Sequence, residues 1–179
     1  MEETIAAIAT APGQGGISII RVSGPEAERV LDEVFRPAGG SSDWPSHRLI
    51  YGHCVDGERV LDEGMAVLMR APRSYTREDV AELHLHGGGL TARAALMLCL
   101  RHGCRLAEPG EFTRRAFLNG RIDLSQAEAV MEIVAARGEK QRSAAERQLA
   151  GGASGFIREA ADRLYALQAG VAACVDHPE

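Results

Sequence analysis

Hydrophobic residues in the first part of the chain follow the two-residue spacing typical of strands. Apolar, β-rich runs bounded by glycine, proline or charged residues predict β-strands. These runs cover residues 4–9, 17–22, 49–54, 59–61, 64–70 and 79–86. Asp56-Gly57 has the composition of a hairpin turn between two of them.

Two stretches between these runs have helical spacing instead. Apolar residues recur at helical steps across 27–34, after a turn-like Ser23-Gly24-Pro25-Glu26, and residues 90–101 predict a second helix that ends at Gly103. Residues 36–45, rich in Pro, Gly and Ser, predict a loop. Strands and helices in this order indicate an α+β domain.

The second part of the chain is predicted to be helical. From Ser125 onward Ala, Glu, Arg and Leu recur with helical periodicity, broken at Arg137-Gly138 and Gly151-Gly152. We therefore predict an α+β domain over residues 1–120 and a helical segment over 121–179. An apolar stripe on the last helix needs a partner, so we expect this helix to self-associate or fray and interpret the chain as a piece of a longer protein. The stripe consists of Phe156, Ala160, Leu164, Leu167 and Val171.

The segment 108–130 contains the strongest local signals. Glu111 begins a short helix with Phe112, Ala116 and Phe117 on its apolar side, and Asn119-Gly120 end it. Ser125 and Glu128 have capping-box spacing and predict the next helix start. Arg114 and Arg115 are expected to be solvated. Arg121 lies in the short link between the helices, so its position should be fixed, as a binding residue requires.

Composition limits the classes of function. A net charge of −5 argues against binding nucleic acid without a partner. There is no run of eighteen apolar residues, and Met1-Glu2-Glu3 lacks the basic start of a signal peptide, so a cytoplasmic protein without membrane contact is expected. The cysteines show neither a CxxC pair nor zinc spacing and are interpreted as reduced thiols. They are Cys54, Cys99, Cys104 and Cys174.

Three features suggest a ligand site. Glu82, His84 and His86 alternate with apolar residues and should share one strand face, although this spacing is weak evidence for a metal. Gly87-Gly88-Gly89 before a helix would leave backbone donors open, and Glu82 could accept from the N–H edge of a pterin or guanine ring. Arg21, near a strand end, is either a surface charge or a fork for a carboxylate or carbonyl group.

A phosphate-binding loop is not expected. The glycine-rich segment 13–16 precedes a strand rather than opening a helix, and the chain contains no GxxxxGK[ST] motif. A tight turn or a close approach of two backbones explains these glycines better.

Three blocks carry a resemblance to a known family: TIAAIATAPGQGGISIIRVSG at 4–24, SYTREDVAELHLHGG at 74–88 and PGEFTRRAFLNGRIDLSQAEAV at 109–130. Together they resemble the N-terminal part of the MnmE (TrmE) family of tRNA modification GTPases. The resemblance implies an α+β fold with the mixed sheet and helices of a tetrahydrofolate-binding, aminomethyltransferase-like domain, followed by an incomplete α-helical domain. It also implies dimerisation through the N-terminal domain.

The family's folate contacts carry over to Arg21, Glu82 and Arg121, with 5-formyl-tetrahydrofolate as the implied one-carbon donor. No catalytic residue and no metal ligand are implied here. GTP, Mg²⁺ and K⁺ are implied for a GTPase domain that these residues do not include. The implied parent acts with an MnmG-type FAD protein to place a carboxymethylaminomethyl group at C5 of the wobble uridine of certain tRNAs.

The chain departs from the family pattern at several positions. Arg77 stands where relatives commonly have Gly, Arg121 where many have Lys, and His84 where glutamine is also seen; His177 replaces a common phenylalanine. Two alternatives remain open: a stand-alone folate-dependent one-carbon transferase, and a structural dimerisation module that binds no ligand.

Overall fold

The computed structural model describes residues 3–13, 15–40 and 43–176. Gln14 and His177 lie outside the described residues, as does the side chain of Cys174. The chain divides into two compact units, Met1–Arg121 and Ile122–Glu179. Within the described residues, no helix is both long and apolar enough to cross a membrane.

The first unit is an α+β fold built on one seven-stranded sheet. Its elements follow the order β1 (Ile5–Ile8), β2 (Ile17–Ser23), α1 (Ala27–Val34), β3 (Phe35–Pro37), β4 (Ile50–Asp56), β5 (Arg59–Met69), β6 (Val80–His86), α2 (Gly89–Arg101), β7 (Arg105–Leu106) and α3 (Glu111–Leu118). The strand order is β3-β4-β5-β6-β2-β1-β7. The sheet is mixed, because β1 and β7 are parallel whereas the other neighbours are antiparallel.

The core of this unit lies between one face of the sheet and helices α1 and α2. Alternation along the strands turns Ile20 and Val22 of β2 and Ala81, Leu83 and Leu85 of β6 towards the helices. All four periodic residues of α1 are buried. Cys54, Cys99 and Cys104 are free, buried thiols, and burial raises the pKa of each.

Several predicted elements differ in detail. The runs at 59–61 and 64–70 form one strand, because Asp62 and Glu63 between them pair with Cys54 and His53 of β4. The hairpin loop is Gly57-Glu58, one residue later than expected, because Asp56 pairs with Arg59. The predicted loop at 36–45 begins within β3 and contains the buried Trp44, whose Nε1 donates to Asp32.

The second unit consists of helices α4 (Leu124–Ala135), α5 (Glu139–Leu149) and α6 (Gly152–Asp176), broken where the sequence predicted. The predicted capping box was wrong: Asp123 and Gln126 form it, each side chain accepting from the other's backbone N–H. Ala129 and Ala145 are buried where α4 packs on α5. On α6 the five residues of the predicted apolar stripe are all exposed.

Candidate functional site

Arg21 and Glu82 form an ion pair on the sheet face opposite the core helices. They lie directly across from each other in the antiparallel register of β2 and β6, which places both side chains on one face. The Nε atom of Arg21 donates to Oε1 of Glu82 at 2.7 Å. The Glu82 side chain retains only 11% of its exposure and that of Arg21 27%, so the pair is partly shielded from water but still reachable.

His84 engages the second oxygen of the Glu82 carboxylate. Its Nε2 lies 3.1 Å from Oε2 of Glu82. This contact follows from strand alternation, which places residues two apart on one face, as the sequence predicted. Each carboxylate oxygen has a further lone pair, so Glu82 can still accept hydrogen bonds from an N–H edge.

Two aromatic rings flank the Arg21 guanidinium. Its Cζ lies 5.4 Å from the ring centre of Tyr75 and 5.7 Å from that of Phe112, within the range of cation–π attraction. The hydroxyl groups of Tyr75 and Thr113 are 2.9 Å apart, which ties the Tyr75 ring to α3. An arginine fork beside two rings is suited to a flat heteroaromatic ligand.

Arg121 reaches the same aromatic residue from the end of the first unit. Its Cζ lies 4.7 Å from the Tyr75 ring centre, and it donates to the Tyr75 carbonyl oxygen at 3.2 Å. Arg21 and Arg121, a hundred positions apart in the chain, therefore both contact the Tyr75 ring, and Glu82 is joined to them through its ion pair with Arg21. The sequence reasoning did not select Tyr75 and assigned Phe112 only to a helix face.

The loop that carries Tyr75 is fixed to α3 and β2. Asn119 donates from Nδ2 to the Thr76 carbonyl oxygen at 2.7 Å, and Arg77 donates to the Asn119 carbonyl oxygen at 3.1 Å. The Ser23 and Thr76 hydroxyl oxygens are 2.7 Å apart. These bonds hold the two residues that follow Tyr75, so the position of Tyr75 does not depend on a free loop.

An ion network behind this loop corrects one expectation. Arg115 is buried, not solvated, and contacts Glu78 and Glu111 at 3.1 Å each. Arg105 bonds Glu111 at 2.6 Å and, by this hydrogen bond above all, lowers the pKa of Glu111 to about 2. The side chain of Arg114 is 58% exposed, as expected. Helical position alone did not reveal that the buried face of α3 carries charge.

The third residue of the strand triad has a different partner. His86 Nδ1 lies 2.8 Å from the Asp62 carboxylate, which raises the pKa of His86 chiefly through this hydrogen bond. In the part of the chain that the structure describes, no group of three or more His, Cys, Asp or Glu side chains is placed to hold a metal ion.

The glycine segments meet in a close backbone approach, one of the two roles considered above. The backbone N–H of Gly87 donates to the Gly16 carbonyl oxygen at 3.1 Å. A Cβ atom on Gly87 would overlap the carbonyl group of Gly15. Gly88 caps α2 without a side-chain hydrogen bond. The first N–H groups of α2 are thus left to solvent or a ligand.

Two cavities differ in charge. A cleft of about 440 Å³ lies beside Tyr75 and Arg121 and is also lined by Arg73 and Arg77. A larger cavity, of about 1000 Å³, contains none of the predicted site residues. Four carboxylates contribute to its lining, those of Glu3, Glu26, Glu78 and Asp79, against the one cation of Arg105 among its described residues. An anionic ligand is therefore favoured in the smaller cleft and opposed in the larger cavity.

Comparison with known proteins gives a consistent set of relatives. A sequence profile of the family described as GTP-binding protein TrmE N-terminus matches residues 4–121. A protein of Heliobacterium modesticaldum is 52% identical over 181 residues, and one of Geobacter sulfurreducens is 53% identical over 182 residues. Both are named tRNA modification GTPase MnmE; the alignments cover 99% and 100% of this chain but only 39% and 40% of those proteins.

Proposed function

Because this chain belongs to the family of the GTP-binding protein TrmE N-terminus, we propose that it is the folate-binding part of a tRNA modification GTPase. The chain spans about two fifths of the length of the curated relatives it matches. GTP hydrolysis, with its Mg²⁺ and K⁺, would belong to a separate domain, since the 179 residues contain no phosphate-loop motif.

The observation that carries the folate proposal is the Arg21–Glu82 pair beside Tyr75. A reduced pterin presents N–H donors along one edge, which suit the remaining lone pairs of Glu82. A pterin carbonyl group suits an arginine fork, and the ring can pack on Tyr75 or Phe112.

Arg121 is suited to the carboxylates at the other end of a folate. Arg121 is exposed and lies against the Tyr75 ring, so its guanidinium can bind the anionic tail of a ligand whose ring packs on Tyr75. The proposed ligand is 5-formyl-tetrahydrofolate, which supplies a one-carbon unit when bound. The chain's own residues would bind and orient it, with Glu82 at the ring and the arginines at carbonyl and carboxylate groups.

The proposed parent acts on tRNA with a partner. In this proposal an MnmG-type FAD protein and the parent GTPase together place a carboxymethylaminomethyl group at C5 of the wobble uridine. The net charge of −5 supports a tRNA contact made by the partner or by other segments, because phosphate binding needs a cationic face.

Dimerisation through the first unit is supported by apolar side chains on the outer sheet face. Tyr51 pairs with Met65, and Met65 pairs with His84, so the three side chains share the face of Glu82. Tyr51 is 53% exposed, Met65 38%, and Ile17 at the end of β2 57%. Adjacent exposed apolar residues on a rigid sheet are typical of a protein interface.

Calorimetric titration with 5-formyl-tetrahydrofolate tests the folate proposal. Saturable binding is expected for the wild type, with loss of most affinity in Glu82→Ala and Arg121→Ala. Arg121→Lys is the matched control and should keep binding, because it retains the charge. Glu82→Gln separates the contribution of the negative charge from that of side-chain volume, because Gln is neutral and of similar size. A folded wild type without binding would contradict the proposal and leave a structural dimerisation module.

A stand-alone one-carbon transferase is the second candidate, and the structure offers it less support. A transferase needs a general base or nucleophile near the donor. Glu82 and His84 are the nearest such groups, and Glu82 is already bonded to both His84 and Arg21. Conversion of a labelled one-carbon donor by the isolated chain would favour the transferase.

A further inference from the structure

The cleft beside Tyr75 is cationic on several sides. We call it the arginine cleft and define it by Arg73, Arg77 and Arg121 together with His47, Ser74 and Tyr75. None of the described residues that line it is acidic. In a chain with net charge −5, three arginines around one concavity form a local positive field.

The arginines of the cleft retain free donors. Arg73 is exposed, and its guanidinium forms no ion pair with the described residues. Arg77 donates from one NH1 group to the backbone carbonyl oxygen of Asn119, and Arg121 donates from one NH1 group to that of Tyr75. A guanidinium has five N–H donors, so each retains donors for a carboxylate.

The backbone of the cleft is held in an uncommon conformation. Two non-glycine residues of the described chain have a positive φ, His47 at 66° and Arg77 at 62°, and both line this cleft. Such conformations persist where surrounding bonds enforce them, and they cluster at ligand sites. Here the His47 backbone N–H donates to the Leu68 carbonyl oxygen at 2.8 Å.

We propose that the arginine cleft binds the γ-linked polyglutamate tail of the reduced folate, an inference that rests on the proposed function. Such a tail is an extended chain with one free carboxylate per added residue. Arg121 contacts Tyr75 and also lines the cleft, so a ligand whose ring lies at Tyr75 would direct its tail towards Arg77 and Arg73. Guanidinium forks match carboxylates bidentately.

Tail length separates this inference from folate binding itself. The full chain would be titrated with the mono- and pentaglutamate forms of 5-formyl-tetrahydrofolate at low and physiological salt. The pentaglutamate should bind roughly tenfold more tightly, since two or three exposed ion pairs combine. That preference should shrink as salt rises.

Arg73→Ala is the decisive variant, because its side chain has no partner to lose within the described residues. It should abolish most of the tail preference and leave monoglutamate affinity unchanged. Arg59→Ala, at an exposed arginine outside the cleft, is the matched control and should keep the preference. Circular dichroism would verify that each variant is folded.

The outcomes separate the two proposals. Equal affinity of the wild type for both tail lengths would overturn the tail site and leave folate binding intact. A preference unchanged in Arg73→Ala would also overturn it. Failure of both ligands to bind would overturn the tail site and the proposed function together.

Discussion

Arg77 keeps a left-handed backbone conformation while its guanidinium donates to the carbonyl oxygen of Asn119 at 3.1 Å. The resemblance places glycine at this position in many relatives. The turn conformation is the one that glycine adopts without strain. The bond to Asn119 partly offsets the cost of an L side chain and joins the Tyr75 loop to the end of α3.

The first prediction separates the two effects at Arg77. Arg77→Ala keeps the left-handed strain and loses the bond, whereas Arg77→Gly loses the bond but relieves the strain. We expect Arg77→Gly to be more stable than Arg77→Ala by about 1 kcal/mol. Urea unfolding of the two variants measures the difference. Equal stabilities would mean that the left-handed conformation carries no cost here.

The second prediction concerns the buried carboxylate of Glu111. Arg105 lowers its pKa to about 2 from an ordinary value of 4.5. A carboxyl group with a lowered folded-state pKa stabilises the fold above the unfolded pKa and loses this contribution as pH falls through the folded value. The first unit should therefore lose stability between pH 4.5 and 2.

Glu111→Gln tests this assignment. It removes the buried anion that Arg105 and Arg115 share and leaves Arg115 only Glu78. We therefore expect a loss of about 3 kcal/mol at pH 7 and a weaker dependence on acid. Glu108→Gln, at an exposed carboxylate three positions earlier, is the control and should change stability by less than about 1 kcal/mol. Urea unfolding at pH 7 and pH 3 gives both quantities. An undiminished acid dependence in Glu111→Gln would assign the effect to another carboxylate.

The third prediction concerns the close approach of the two glycine segments. Gly87→Ala places a methyl group against the Gly15 carbonyl group, and both backbones would have to move. We expect a loss of about 2 kcal/mol or more. Gly89→Ala is the matched control, since a Cβ atom there meets nothing within 4 Å and Ala favours the helix. Thermal melting of both variants measures the difference. A Gly87→Ala variant as stable as the control would contradict the proposed clash.

The fourth prediction concerns helix α6. Leu164 and Leu167 are 66% and 68% exposed on a helix whose predicted apolar stripe is uncovered. We expect the chain to self-associate through this helix or the helix to exchange its amides rapidly. Leu164→Gln with Leu167→Gln should lower the average mass in sedimentation if association dominates. A compact monomer with slow exchange across residues 154–175 would refute the expectation.

Local signals in the sequence predicted most of the fold. Periodicity located α1, α2 and the inward face of β6, because burial follows those spacings directly. The start of α4 was assigned to Ser125 although Asp123 and Gln126 have the same capping-box spacing. Two adjacent candidates of equal quality cannot be ranked without knowing where the preceding turn ends.

Contacts between distant segments were harder to predict. Arg21, Glu82 and Arg121 were predicted from local patterns and from the resemblance. The role of Tyr75 as a common neighbour of Arg21 and Arg121 depends on how the loop at 74–79 folds against α3. Arg115 was misjudged because helix position reports exposure only when the neighbouring surface is known. Its partner Glu78 is 37 positions away.

Because Arg21 and Glu82 pair across β2 and β6, the whole site depends on the register of these two strands. A slip of β2 by one residue against β6 would turn Arg21 towards the core and Ile20 towards water. No sheet with that alignment could present the ion pair, so a ligand that touches both side chains would select correctly aligned chains. By binding only the native register, such a ligand would raise the yield of native protein on refolding as well as the melting temperature.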